Sequence, residues 1–248
     1  FWYPEQRVPD PIPYPWTVKS AAVPANDNQT VENCTFVNSW KALCIGPESN
    51  ELHTFRELRL CALKTGISID STTDIGRLSE VTVSPSVWLD GKWPGTPKAA
   101  DLRAFLLGGS AVAVDIGRSD WEYIWRLKVD GYRFGLVVRK GVWGTTNAVM
   151  AESDLLGCGS AFVADELNQV GFSAYRCTFE GSQQAFRDTE RFDAVVQFHS
   201  CRFAGNVVQG GHGVVTFQAC ALTNGIVQTD RGQVQLMDSA LSEVKIGA

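Results

Sequence analysis

The chain has 248 residues, 44% hydrophobic and 20% charged, with a formal net charge of −5. No run approaches the ~20 apolar residues of a membrane helix. An acidic chain without a basic patch also argues against nucleic acid as a partner.

Phe1-Trp2-Tyr3-Pro4 opens the chain without Met, a basic segment or a signal-peptide pattern, as the middle of a strand would. The expectation is one domain over residues 1–248 that belongs to a longer chain, with its first turns and N-terminal cap missing. Prolines 4, 9, 11, 13, 15 and 24 exclude a central strand from residues 4–24. They predict an extended loop carrying Tyr3, Tyr14 and Trp16. Asn28-Gln29-Thr30 and Asn33-Cys34-Thr35 fit the glycosylation sequon, and two such short matches are expected by chance.

From residue 34 a three-residue unit recurs: small or apolar, polar, apolar. It reads Cys34-Thr35-Phe36, Leu58-Arg59-Leu60, Val81-Thr82-Val83, Leu127-Lys128-Val129 and Ser153-Asp154-Leu155. It continues as Cys177-Thr178-Phe179 and Cys201-Arg202-Phe203, and then with Ala in the middle place as Cys220-Ala221-Leu222 and Ser239-Ala240-Leu241. The nine apolar anchors recur every 19 to 26 residues, with one step of 46. In the last four units a second apolar segment follows: Ala185-Phe186, Val207-Val208, Gly225-Ile226-Val227 and Val244-Lys245-Ile246. Short strands at such a period signal a coiled repeat, and strands that return after a full turn are parallel, with right-handed crossovers. The fold expected is therefore all-β: a single-stranded right-handed parallel β-helix of nine to ten turns with one helical insertion.

That insertion falls at residues 88–117, inside the long step. Trp88 and Trp93 sit in a turn-rich loop, and residues 96–107 read as a short helix opened by Pro97 and ended by Gly108-Gly109. An insertion at one corner of a repeat forms a wall of a groove. Beyond it, Trp121, Tyr123 and Trp125 alternate on one strand face, with Glu122, Ile124 and Arg126 on the other. Gly210-Gly211-His212-Gly213 reads as a flexible turn and not a phosphate loop, because no helix follows. Of seven Cys, residues 34, 177, 201 and 220 occupy the inward column and act as small hydrophobes. The spacing supports no metal site and no cofactor.

Several stretches together resemble bacterial members of the pectate-lyase-like β-helix superfamily. They are Phe1-Trp2-Tyr3-Pro4-Glu5-Gln6, Tyr14-Pro15-Trp16, Asn50-Glu51-Leu52-His53, Thr65-Gly66-Ile67-Ser68-Ile69-Asp70 and Asp74-Ile75-Gly76-Arg77-Leu78. The branch most similar is glycoside-hydrolase-related, with relatives among β-1,3-glucanases. The resemblance covers residues 1–90 and beyond them only the repeat pattern. It implies the β-helix fold and a carbohydrate ligand, and leaves the reaction open.

Counting back nine residues from Leu60, Val83 and Val129 gives Glu51, Asp74 and Asp120. Carboxylates on adjacent or alternate turns would lie about 4.8 Å or about 9.6 Å apart, which brackets the separations used by glycosidases. Like charges this close do not ionise independently, which suits an acid and base pair. Glu51, Asp74 and Asp120 are thus the candidate catalytic set, and capping of their own turns is the structural alternative. His53 and Arg77 are candidates for sugar hydroxyls or a substrate carboxylate, and Glu122, sharing a face with the acids, is a further substrate-binding candidate. Trp88, Trp93, Trp121 and Tyr123 are candidate sugar platforms.

The expected function is hydrolysis of a polysaccharide or oligosaccharide in a groove, by a secreted or cell-surface protein. One alternative is a lyase on a uronate polymer using Lys64, Arg77 and the acids. Another is a non-catalytic carbohydrate-binding or structural β-helix of tailspike type. Nothing in the sequence sets an oligomeric state.

Overall fold

The computed structural model describes all residues except Ala22, Pro24, Ala25, Thr229, Asp230, Gly247 and Ala248. Pro24 of the predicted proline loop thus lies outside the described residues. The remainder of that loop ends in a short strand, Trp16–Lys19. At the start of the chain, the Phe1 ring stacks on Phe36 at 4.8 Å and Tyr3 stacks on Tyr14 at 4.7 Å.

The nine anchors form one unbroken parallel ladder. Phe36 pairs in register with Leu60, then Val83, Val129, Leu155, Phe179, Phe203, Leu222 and Leu241 follow in turn. A second ladder runs through Val18, Leu43, Ile67, Val114, Leu136, Phe162, Phe186, Val207 and Ile226 to Val244. The predicted second segments at Phe186, Val207, Ile226 and Val244 belong to it. These two ladders make a 15-stranded sheet, and a 9-stranded sheet stands apart from it.

The expectation of a single right-handed parallel β-helix is corrected by the pairing within the larger sheet. Arg59–Ile69, Thr82–Val83, Lys128–Asp130, Asp154–Ala164, Phe134–Val138 and Val112–Ile116 bond in a closed circuit. The fold is therefore a closed six-strand parallel barrel, extended at both ends, plus a separate parallel sheet. The reason lies in the long strands. Arg59–Ile69 and Asp154–Ala164 each run for 11 residues. Each shifts register partway, next to Leu60 and again near Ala62, or next to Leu155 and again at Cys158. The first part of each strand then pairs in the anchor ladder and the last part in the second ladder. Two such strands, joined by short ones on either side, close the circuit.

A single hydrophobic cluster joins both sheets. Its densest part is aromatic: Phe198 lies 4.9 Å from Phe203, 5.2 Å from Phe217 and 5.1 Å from Phe186. Edge-to-face and offset rings at these distances add to area burial.

Three residues before every anchor the chain adopts a left-handed conformation. The residues are Asn33, Glu57, Glu80, Arg126, Glu152, Arg176, Ser200, Ala219 and Asp238, with φ between 48° and 54°. The first eight donate their N–H to a carbonyl of the 9-stranded sheet on the next rung, as Arg126 does to Ala151 and Ala219 to Met237. One such residue per repeat turns the chain from the smaller sheet into the anchor ladder. None is glycine, so each carries a conformational cost of about 1–2 kcal/mol.

The expected insertion at 88–117 contains the helix Ala99–Gly108, and a shorter helix, Ser86–Leu89, begins two residues before the insertion. The predicted helix at 96–107 starts three residues later than expected, because Lys98 remains extended as its N-cap. Leu102 and Leu106 are its buried face.

Candidate functional site

The register places the predicted acids as follows. Thr72 bridges both Asn50 and Ser119, so the next residue, Thr73, lies between Glu51 and Asp120. Thr73 donates its hydroxyl to Glu51 Oε1 at 2.9 Å. Asp120 takes two bonds from Arg118, at 2.8 and 3.4 Å, and in return raises the guanidinium pKa. Asp74 falls one residue out of this register, is exposed, and accepts the Ile75 N–H at 2.8 Å. The equivalence of the three is corrected: the rungs align Glu51 and Asp120 around Thr73, while Asp74 caps its own turn.

His53 and Glu122 are fully buried, which corrects their expected contact with substrate. Arg77 pairs with both Thr54 and Tyr123, and Gly76 pairs with Glu122. His53 and Glu122 are therefore two rungs apart with Gly76 between them. Their side chains meet over that glycine, with Nε2 3.2 Å from Oε1. Asn50 Nδ2 donates to the Asp70 and Glu48 carbonyls, which turns its Oδ1 toward the Thr72 hydroxyl at 2.7 Å. With that hydrogen spent, Thr72 Oγ1 accepts from His53 Nδ1 at 3.4 Å. Ser119 donates to Glu122 Oε2 at 2.7 Å. One proton then lies between Nε2 and Oε1. This network ties three successive rungs together inside the core.

Trp88 is corrected as well. It is 1% exposed, on the core side of the short helix, and its Nε1 has no partner among the described residues. Trp93 is partly exposed and packs on Trp2 at 5.5 Å.

The strand Asp120–Trp125 does present the predicted aromatic face. Trp121, Tyr123 and Trp125 are 44%, 42% and 42% exposed, while Glu122 and Ile124 are buried. Trp121 and Tyr123 stack at 6.5 Å with 17° between planes. Arg77, exposed, is the register neighbour of Tyr123. Arg126 lies 4.1 Å over the Trp125 ring. In the next rungs Trp125 is followed by Ala151, Tyr175 and His199. Tyr175 and His199 stack at 4.7 Å, nearly parallel at 8°. Trp125 and Tyr175 are two rungs apart, about 9.6 Å at the strand spacing, a span comparable with a disaccharide.

Past the Arg126 turn, the same segment enters a groove over the anchor ladder. The groove is about 350 Å³ and is lined by Thr82, Ser84, Ser86, Lys128, Asp130 and Asp154, among others. It continues into a cavity of about 260 Å³ that adds Glu80 and Arg126. The insertion reaches this groove through one bond: Arg103 of the longer helix donates to Asp130 at 3.1 Å, and Ser84 reaches the same carboxylate at 3.4 Å. Asp154 stands on the next rung beside Lys128. It makes no side-chain hydrogen bond among the described residues. Sequence reasoning missed both acids, although each directly flanks an anchor, Val129 or Leu155, on the outward side of its strand.

Exposed rings, carboxylates, hydroxyls and one lysine on a continuous surface can stack on sugar faces and bond sugar hydroxyls. Among the described residues no group of three His, Cys, Asp or Glu side chains is arranged to hold a metal ion. Nor, among them, is any helix long and apolar enough to cross a membrane. No family model, curated protein or solved structure matches the chain.

Proposed function

We propose that the protein binds a polysaccharide across residues 121–130 and the Tyr175–His199 pair. The observation that carries this reading is the exposed stripe of Trp121, Tyr123 and Trp125, which runs around the Arg126 turn into a groove with two carboxylates. A sugar chain needs flat apolar faces for its C–H surfaces and nearby polar groups for its hydroxyls, and this segment offers both. Such a ligand suits a secreted or cell-surface protein. The test is calorimetric titration of neutral and uronate glycans. Trp125→Ala is expected to weaken binding by about tenfold, near the top of the range for one stacked aromatic contact. Unchanged affinity in that variant counts against the reading.

Hydrolysis is the second reading, favoured by one observation: Asp130 and Asp154 come from adjacent rungs and line one groove in different surroundings. Asp130 is held by Arg103, whereas Asp154 is free of side-chain bonds among the described residues. This division suits a fixed carboxylate and a second that exchanges a proton. New reducing ends from a bound glycan, abolished by Asp154→Asn or Asp130→Asn, would support it. Unsaturated products would favour elimination, and binding without cleavage would leave a binding protein.

A further inference from the structure

At the end of the second ladder's long strand, an apolar column turns polar. Ile69, Ile116, Val138 and Ala164 precede Asp188 in register. The next rung places Gln209 after Val208, the partner of Arg187. Asp188 and Gln209 are both buried, and both close on the same residue. Asp188 Oδ1 accepts the N–H groups of Gly210 and Gly211, the latter at 2.9 Å, and Gln209 Nε2 donates to the Gly211 carbonyl at 2.6 Å. Gly211 fits no other side chain, since a Cβ would overlap the carbonyl oxygens of Phe192 and Thr189.

One atom of each side chain is left over. Asp188 Oδ2 and Gln209 Oε1 are buried without a partner among the described residues. Both are acceptors, and two acceptors brought to one buried corner lack a hydrogen. We propose that Asp188 Oδ2 and Gln209 Oε1 share one proton, so that the corner at Gly210 and Gly211 is locked in acid and loosened at neutral pH. On protonation the carboxyl becomes the donor, the amide oxygen becomes the acceptor, and both vacancies are filled by one hydrogen.

The surroundings agree. Burial pushes the Asp188 carboxyl up to about 6, against the lowering pull of the Gly210 and Gly211 N–H groups. Among the described residues, the charged groups around the corner are otherwise engaged or turned outward. On the rung above, Asp165 and Glu166 are bound by Arg191. In the corner itself Glu190 faces Arg231 at 4.0 Å, and Asp193 is exposed. Below, His212 is exposed, and Arg187 lies on the outer face of the same strand. None of these shifts the carboxyl. An acid whose folded pKa is raised stabilises the fold fully below its unfolded value, and that stability is lost as pH rises through about 6.

The test is carboxyl-carbon NMR of the full chain together with amide exchange at Gly210 and Gly211, corrected for intrinsic rates. Asp188 is expected to titrate near 6. Exchange at the two glycines should be about tenfold slower at about pH 5 than at about pH 7.5. Asp188→Asn supplies a permanent donor and should exchange slowly at both. A titration midpoint in the ordinary carboxylate range would show that a water or another donor holds Oδ2 ionised, and would overturn the proposal. So would an Asp188→Asn variant whose two glycines exchange as fast at neutral pH as the wild type.

Discussion

His53 Nε2 and Glu122 Oε1 meet at 3.2 Å across Gly76, with both side chains fully buried. Two residues 69 positions apart are thus held by the absence of a side chain on the rung between them. Gly76→Ala tests this directly. The added Cβ would overlap Glu122 Oε2 and His53 Cε1. Overpacking of this kind costs about 1–3 kcal/mol, and separation of the pair adds to it. Urea unfolding should show a lower midpoint with unchanged slope.

The pair itself is expected to be costly to break and cheap to replace. Glu122→Leu leaves His53 and the Ser119 hydroxyl unsatisfied in the core, a loss of about 3–5 kcal/mol. The double replacement His53→Leu with Glu122→Leu should lose less than the sum of the two single changes. Chemical denaturation of the four proteins of the cycle measures the difference. Glycan affinity in Glu122→Gln should equal that of the wild type, because the pair lies behind the binding face.

Ala219 is the one left-handed residue of the repeat with a bare methyl side chain, and it is exposed. Ala219→Gly relieves about 1–2 kcal/mol of backbone strain and returns about 0.4–1 kcal/mol through the freer unfolded chain. A small net gain follows, read as a raised thermal midpoint. Ala219→Val at the same site should lower it.

Glu152 lies between Arg176, at 2.6 Å, and Arg126, at 3.3 Å. Hydrogen bonds from these two guanidinium groups hold its carboxyl below the usual range. A depressed carboxylate contributes stability above its unfolded pKa, and that contribution is lost as pH falls through the folded value. Arg176→Ala should move the Glu152 titration upward in carboxyl NMR. High salt should reduce the shift in the wild type, since both guanidinium groups are exposed to solvent.

Much of this arrangement was legible in the chain. All nine anchors lie on one ladder, because a large apolar residue that recurs once per repeat is buried at the same place in every rung. Period-2 alternation likewise set Trp121, Tyr123 and Trp125 on one face and Glu122 and Ile124 on the other without saying which is outward, and Arg126, expected beside Glu122, is exposed over the Trp125 ring instead. The closed barrel was not legible. It depends on strands that continue through a register shift at positions such as Cys158, and nothing in their composition marks the bend. The left-handed column was hidden for a similar reason: Glu80, Arg126 and Ala219 carry no glycine signature, and the rungs around them impose the conformation. The contact of His53 with Glu122 needs rung offsets that change between Thr72 and Gly76. Counting back from anchors missed that change and set Asp74 one residue out of place. Trp88 looked like a loop residue beside Gly91 and Pro94, yet the short helix turns it into the core.

The binding face is tested most directly by the indole N–H resonances of the full chain during addition of a glycan that binds. Trp121 and Trp125 should move with increasing glycan while buried Trp88 stays fixed, and Trp125→Ala should require about tenfold more glycan for the remaining shift. Binding that leaves both exposed indoles unmoved, or no binding to any neutral or acidic glycan, would contradict the account.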